Sequence, residues 1–383
     1  MIYFDNAATA MARPQEVIDA VVHALTTFGN VGRGAHDAAI SADMAVFDAR
    51  RKVAELLGAP SPSRVAFGYN VTEALNIAIA GLLNDGDRAL TTAASHNSVL
   101  RPLFRARDER DCTVDVAPVR PDASLDFDAY GELLRDGRPR LVVATHASNL
   151  TGDVYDVARM ASMAHEVGAL FVLDAAQTAG ALPIDMAALG VDVLCFTGHK
   201  SLLGPQGTGG MCVAQGVEVR PLLEGGTGVH SYDERQPTAM PESLEAGTLN
   251  AHGLAGLAAG IDYLQRVGVG HVAARVAELT NRFEAGVANL PGVRVYGGHG
   301  GVARTGVVAL NVGTVDSGRV TSLLAEHYGI CTRSGAHCAP LMHHALGTVS
   351  QGIVRFSFSH LNTEDEIDAG IAAMAEITAE LGE

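Results

Sequence analysis

The sequence predicts an α/β fold, in which a large domain with a mostly parallel sheet flanked by helices precedes a smaller C-terminal α/β domain. Three observations predict it. Short apolar runs recur, each ending in a polar residue and a turn. Segments with apolar residues three and four apart separate several of these runs, so strands alternate with helices. After about residue 250 a long helical stretch leads into a second group of strands. The 383 residues, 48% of them hydrophobic, are enough for two domains sharing an interface. We place the large domain at 13–259 and the small one at 260–383, joined by 1–12.

In chain order, the clearest buried strands are "RVAFGYN" (64–70), "RALTTAASHN" (88–97), "RLVVATHASN" (140–149), "ALFVLDAAQ" (169–177) and "VDVLCFTGHK" (191–200). "VYDVARMASMAHEVG" (154–168) has the period of an amphipathic helix between two of them. Right-handed βαβ units follow, and ligands of such sheets bind beyond the carboxyl ends of the strands. Residues 251–290 form the long helical stretch, after which "GVRVYG", "GVVALNV" and "GIVRFSFS" read as strands of a second sheet. The final helix opens with Asn362 or Thr363 as its cap, and Glu366 is available for a capping box.

A net charge of −16 with only 18% charged residues argues against nucleic acid and against an anionic membrane surface as partners. The five cysteines show no CxxC pair, which argues against a disulfide framework or a structural zinc site and suits a reducing cytoplasm. "MIYFDNAATA" lacks the basic and apolar regions of a signal peptide, and no run reaches the roughly 18 apolar residues of a membrane span.

The strand ends hold the candidate chemistry. Lys200, in "TGHK", follows an apolar strand, where a desolvated amine becomes a nucleophile toward carbonyls; a surface lysine just past a strand is the plainer alternative. "GHKS" is no Walker loop, because the required glycines are missing. Asp174 closes "LFVLD" and needs a partner there, either an ion pair, a helix start or a protonated pyridine nitrogen. "GYNVTEALN" (68–76) opens a helix whose first N–H groups, with the Thr72 hydroxyl, suit a phosphate or an ordinary cap. Lysine, aspartate and phosphate cradle together fit pyridoxal phosphate. "RSGAHCAPLMHH" (333–344) leaves Cys338 open to three readings: metal ligand, nucleophile or packing residue. His337, His343 and His344 are possible ligand types, but the paired spacing of a structural zinc site is absent.

These residues resemble the class V aminotransferase group of the fold-type I pyridoxal-phosphate enzymes, and within it the cysteine desulfurases and selenocysteine lyases of the Suf-type branch. The resemblance runs from "YFDNAAT" at residue 3 to "RFSFSHLNTEDEID" at 368. Its most specific segments are "HASNLTG", "DAAQTAG", "TGHKSLLGPQGTGG", "EAGTLN" and "RSGAHCAPLMH". It implies that Lys200 links covalently to the cofactor, that His96 stacks on the pyridine face, and that Asp174 pairs with the ring nitrogen. Gln177 and Asn149 would contact the ring hydroxyl, and Val71, Thr72, Thr197 and His199 would hold the phosphate. Thr248 would reach the phosphate of a neighbouring subunit's cofactor, implying a homodimer with shared active sites. Arg355 would grip the substrate carboxylate.

The chain departs from the pattern at Ser95, where the family commonly has Glu, at His360, and at Gly32 in "GNVGRGAH", where His is frequent. The resemblance implies conversion of L-cysteine to L-alanine with a persulfide on Cys338, passed to an acceptor protein for iron–sulfur cluster or thio-cofactor supply. Lys200 or His96 would take the Cα proton, and Arg333 and His337 would supply positive charge to the thiolate. The alternatives are a selenocysteine lyase or another carbon–sulfur lyase, a plain aminotransferase, and a non-catalytic scaffold.

Overall fold

The computed structural model describes residues 1–32, 34–298 and 303–381. The chain begins with β1 (Ile2–Tyr3), α1 (Gln15–Thr27) and α2 (Asp37–Leu57), then enters a βα series. This comprises β2 (Val65–Gly68), α3 (Val71–Leu82), β3 (Arg88–Thr92), α4 (Asn97–Arg110), β4 (Thr113–Ala117), α5 (Phe127–Gly137), β5 (Leu141–Thr145), α6 (Val157–Glu166), β6 (Leu170–Asp174), β7 (Val193–Thr197) and β8 (Gly209–Val213). Each of the five apolar runs quoted between residues 64 and 200 contains one strand, trimmed to four or five residues.

The seven strands pair in the order β2-β8-β7-β6-β5-β3-β4. The sheet is parallel except at β8, which runs antiparallel to both β2 and β7. Strands β5, β7 and β8 are buried along their whole length, as expected for a sheet covered on both faces. Gly210 in β8 is a close approach, since a Cβ there would lie 2.2 Å from the Ala66 carbonyl oxygen. The ends of β2, β3, β5, β6 and β7 and the segments after them converge on one edge, which positions the site.

The chain continues through α7 (Ala251–Val267) and α8 (Val269–Val287), separated by Gly268 at φ +89°. Helix α7 packs on α1 and α2, whereas α8 packs on the last helix and the second sheet. Then follow β9 (Val293–Tyr296), β10 (Val307–Val312), α9 (Ser317–Tyr328), β11 (Ile330–Cys331), α10 (Pro340–Leu346), β12 (Val354–Ser357) and α11 (Glu364–Leu381). The second sheet, β12-β10-β9, is antiparallel, and β1 pairs in parallel with β11. Phe4 packs edge-on against Phe358 at 4.9 Å, and Phe283 lies 4.5 Å from Phe356, so the N-terminal residues help fill this second core. The capping box of α11 forms: the Glu366 N–H donates to Thr363 Oγ1 at 3.2 Å, and the Thr363 N–H donates to Glu366 Oε2 at 3.0 Å. Among the described residues no helix is long and apolar enough to cross a membrane.

One buried ion pair ties the segment after β8 to the sheet. Arg50 and Glu245 meet at 2.6 Å and 3.0 Å, and Glu245 also accepts the Phe67 N–H at 2.6 Å. Removing the carboxylate would strand a buried guanidinium and a buried N–H. Glu245→Ala is therefore expected to destabilise the fold by about 3–5 kcal/mol, read from denaturant unfolding.

Candidate active site

A cavity of about 230 Å³ lies at the carboxyl edge of the large sheet and is closed by the 333–338 loop and Arg355 of β12. Lys200 stands three residues past β7 and Asp174 is the last residue of β6, so both chains enter from the strand ends. Burial lowers the Lys200 ammonium to about 8, with Arg355 and Arg333 adding to the effect and Asp174 opposing it. Burial likewise raises the Asp174 carboxyl, against the Ala176 N–H it accepts at 3.0 Å and the charge of Lys200.

The N-terminus of α3 forms another wall. Asn70 caps the helix by accepting the Glu73 N–H at 3.1 Å. The N–H groups of Val71 and Thr72, at the start of the helix, make no backbone hydrogen bond among the described residues. Thr72 Oγ1 lies 2.8 Å from Ser98 Oγ, and Thr197 Oγ1 is buried without a partner among the described residues. His199 Nδ1 meets Thr9 Oγ1 at 3.0 Å, and burial holds its imidazole near 4. This wall suits an anion.

His96 is the N-cap of α4. Its Nδ1 accepts the Ser98 N–H at 3.0 Å, so the neutral ring carries its proton on Nε2. Burial, followed by Lys200 and three arginines, lowers this imidazole to about 4. Asn149 donates from Nδ2 to the His337 carbonyl at 2.6 Å, while its Oδ1 is buried without a partner among the described residues. Gln177 reaches the Ala7 carbonyl at 3.2 Å. Arg355 is almost fully buried; it donates to the Asn149 carbonyl at 3.0 Å and to Asp5 at 2.8 Å, leaving Nε without a partner among the described residues.

Cys338 lines the same cavity from a strained loop. His337 and Cys338 are consecutive left-handed residues, at φ +48° and +55°. Each costs on the order of 1–2 kcal/mol relative to the right-handed region. Three bonds hold them: Asn149 to the His337 carbonyl, the Asn97 N–H to the Cys338 carbonyl at 2.8 Å, and His337 Nε2 to the Ile353 carbonyl at 3.0 Å. Burial and Arg355 bring the His337 imidazole down to about 3, so it is neutral and supplies no charge to the thiol. Of the two residues expected to do so, Arg333 alone carries charge into this cavity. His343 is buried against Thr348 at 2.8 Å, and no metal-ligating cluster exists among the described residues.

The structure thus brings together Lys200, Asp174, His96, Val71, Thr72, Asn149, Gln177, Thr197, His199, Arg355 and Cys338. Thr248 does not join them; it is exposed and lines a separate cavity beside Tyr69. Ser95 is buried on Thr91 at 2.9 Å, and His360 Nε2 faces the Tyr263 hydroxyl at 3.2 Å. The Gly32 N–H bonds Asp43 at 2.6 Å; Arg33 of the same segment lies outside the described residues. Asp5, in "YFDNAAT", shows no local sequence signal of a role in the site; the fold reveals it through its bond to Arg355.

Comparison with known proteins agrees with this architecture. The sequence profile of the family "Aminotransferase class-V" matches residues 2–369. A probable cysteine desulfurase of Methanothermobacter thermautotrophicus is 36% identical over 96% of this chain and 92% of its own. The cysteine desulfurase CsdA of Escherichia coli is 31% identical over 97% and 93%. The apo structure of the cysteine desulfurase of Thermococcus onnurineus NA1 superposes with a TM-score of 0.93 at 33% identity, covering 99% of this chain and 95% of the other. The chain belongs to the class-V aminotransferase family, in its cysteine desulfurase branch, with the fold-type I architecture of pyridoxal-phosphate enzymes.

Proposed function

We propose that this protein is a pyridoxal-phosphate-dependent cysteine desulfurase that moves sulfur from L-cysteine onto Cys338. The observation that carries this reading is the presence of Cys338 in the same cavity as Lys200, Asp174 and Arg355.

The residues fit the cofactor. Buried oxygens of Thr145, Thr197 and Asn149 have no partner among the described residues, which fits a polar group standing between them. Val71, Thr72, Thr197 and His199 would hold the phosphate, Asp174 the ring nitrogen, and Asn149 and Gln177 the ring hydroxyl. His96 would cover the ring face, and Lys200 would tether the group. When bound, pyridoxal phosphate supplies a sink for the electron pair released at Cα.

Arg355 would pair with the substrate carboxylate through its fork, held in orientation by Asp5 and the Asn149 carbonyl. Lys200, brought to about 8, would accept the Cα proton. His96 is the weaker candidate base, because its Nδ1 is occupied by the Ser98 N–H and its Nε2 already carries a proton. The Cys338 thiolate would then attack the substrate sulfur. The new S–S bond forms as the substrate Cβ–S bond breaks, the electron pair returns to the substrate, and protonation yields L-alanine. Asn149 and Asn97 would hold the loop through the carbonyls of His337 and Cys338, which favours sheltered transfer.

The persulfide sulfur would pass to an acceptor protein serving iron–sulfur cluster or thio-cofactor assembly. We place the protein in the cytoplasm, where free thiols remain reduced. We also infer a homodimer with shared active sites. The exposure of Thr248 away from its own cavity supports this, as do the exposed apolar side chains Ile18, Val22, Met44 and Phe47 on α1 and α2.

Mass spectrometry of the cofactor-loaded protein after L-cysteine treatment tests the reading. One added sulfur atom localised to Cys338 is the expected result. Steady alanine production with Cys338 never modified would overturn the persulfide route.

A further inference from the structure

Cys338 also lines a second, outer cavity of about 400 Å³, whose far wall is helix α4. Asn97, Arg101 and Arg105 are spaced four residues apart on that helix, so they form one stripe along a single face. The stripe starts at the nucleophile, because the Asn97 N–H is bonded to the Cys338 carbonyl. Arg101 and Arg105 are exposed and make no ion pair or side-chain hydrogen bond among the described residues. The next arginines on the same helix behave differently: Arg107 pairs with Asp108 at 2.8 Å and Arg110 with Asp85 at 2.7 Å. In a chain of net charge −16, two uncompensated guanidinium groups leading away from a reactive thiol form a local reversal of sign.

The spacing of the two arginines is compatible with an extended chain. Residues four apart on a helix, such as Arg101 and Arg105, are separated by about 6 Å along its axis. Alternate side chains of an extended peptide lie about 6.6–6.8 Å apart. Flexible arginine forks bridge that difference readily. We propose that the outer cavity receives an extended acidic segment of the sulfur-acceptor protein. Carboxylates two residues apart pair with Arg101 and Arg105, and the segment's cysteine thiol is set against Cys338. The proposal rests on the persulfide reading above and adds the chemistry of the partner. In the transfer, the acceptor thiolate attacks the outer sulfur of the Cys338 persulfide. A new S–S bond forms on the acceptor as the Cys338 S–S bond breaks, and Cys338 leaves as thiolate, so no external oxidant or reductant is needed.

The test uses cofactor-loaded enzyme charged with L-cysteine and freed of excess. It is mixed with a blocked Cys-Gly-Asp-Gly-Asp peptide, its Cys-Gly-Asn-Gly-Asn counterpart, or mercaptosuccinate, and loss of the extra sulfur from Cys338 is followed by mass. The acidic peptide is expected to discharge Cys338 about fivefold faster than the neutral one at low salt. The advantage should shrink as salt rises, and it should vanish in the Arg101→Gln/Arg105→Gln double variant. Equal rates for the two peptides overturn the proposal, as does an advantage that survives the double substitution. Discharge by mercaptosuccinate as fast as by the acidic peptide overturns the extended-segment geometry. The sulfur loaded on Cys338 before mixing reports the first half-reaction separately. If no sulfur loads on Cys338, the persulfide reading fails and the proposal falls with it; loading followed by indifference to charge refutes the acceptor site alone.

Discussion

Lys200→Ala is expected to lower alanine formation from L-cysteine by at least about a thousandfold. In the proposed mechanism two tasks would be lost at once, the covalent tether for the cofactor and the amine that accepts the Cα proton. Lys200→Arg should fare little better. It restores a positive charge beside Asp174, but a guanidinium does not deprotonate at accessible pH. The wild-type amine has a distinct pH signature. Burial lowers it to about 8, so the nucleophilic neutral form grows as pH rises toward that value and saturates above it. Capture of pyridoxal phosphate by the cofactor-free protein, followed by visible absorbance, should accelerate with pH and level off above about 8. Alanine formation by Lys200→Ala within tenfold of wild type would remove the lysine from the chemistry.

The residues that were legible from sequence share a physical cause. β6 and β7 are short, apolar and fully enclosed or nearly so, so the polar residues that close or follow them stand out against the run. Lys200 and Asp174 are visible for that reason. Strand β8 is harder to see, because "GGMCV" trades side chains for close backbone approach, and β4 is only half-buried and alternates weakly. The pairing of β1 with β11 joins residues more than 300 positions apart, and no local pattern encodes it. The Asp5–Arg355 pair depends on that same closure. Charge states were the least legible feature. His337 sits beside Cys338 in sequence and reads as a cation, yet its burial against Ile353 and the field of Arg355 leave it neutral. His96 likewise reads as an acid–base group until its cap bond to Ser98 fixes the tautomer.

Cys338→Ala is expected to separate sulfur transfer from the rest of the site. The substitution is structurally mild. Cys338 sits at φ +55°, where any side chain with a Cβ carries the same penalty, so alanine inherits the strain without adding to it. Its carbonyl still receives the Asn97 N–H, and His337 remains bonded to Ile353 and Asn149. Cofactor capture should therefore stay within about twofold of wild type, whereas alanine formation from L-cysteine should fall by about a hundredfold or more. Selenium leaves carbon more readily than sulfur and depends less on attack by a thiolate, so alanine formation from L-selenocysteine should be largely retained. The ratio of the two activities in wild type and variant is the measurement. Loss of cysteine turnover with retention of selenocysteine turnover assigns Cys338 to the sulfur step. Full cysteine turnover in the variant would mean that sulfur leaves without Cys338, and the chain would then act as a selenocysteine lyase or another carbon–sulfur lyase on the same scaffold. Equal loss on both substrates, with the cofactor still bound, would instead place Cys338 in a step common to both, upstream of the chalcogen.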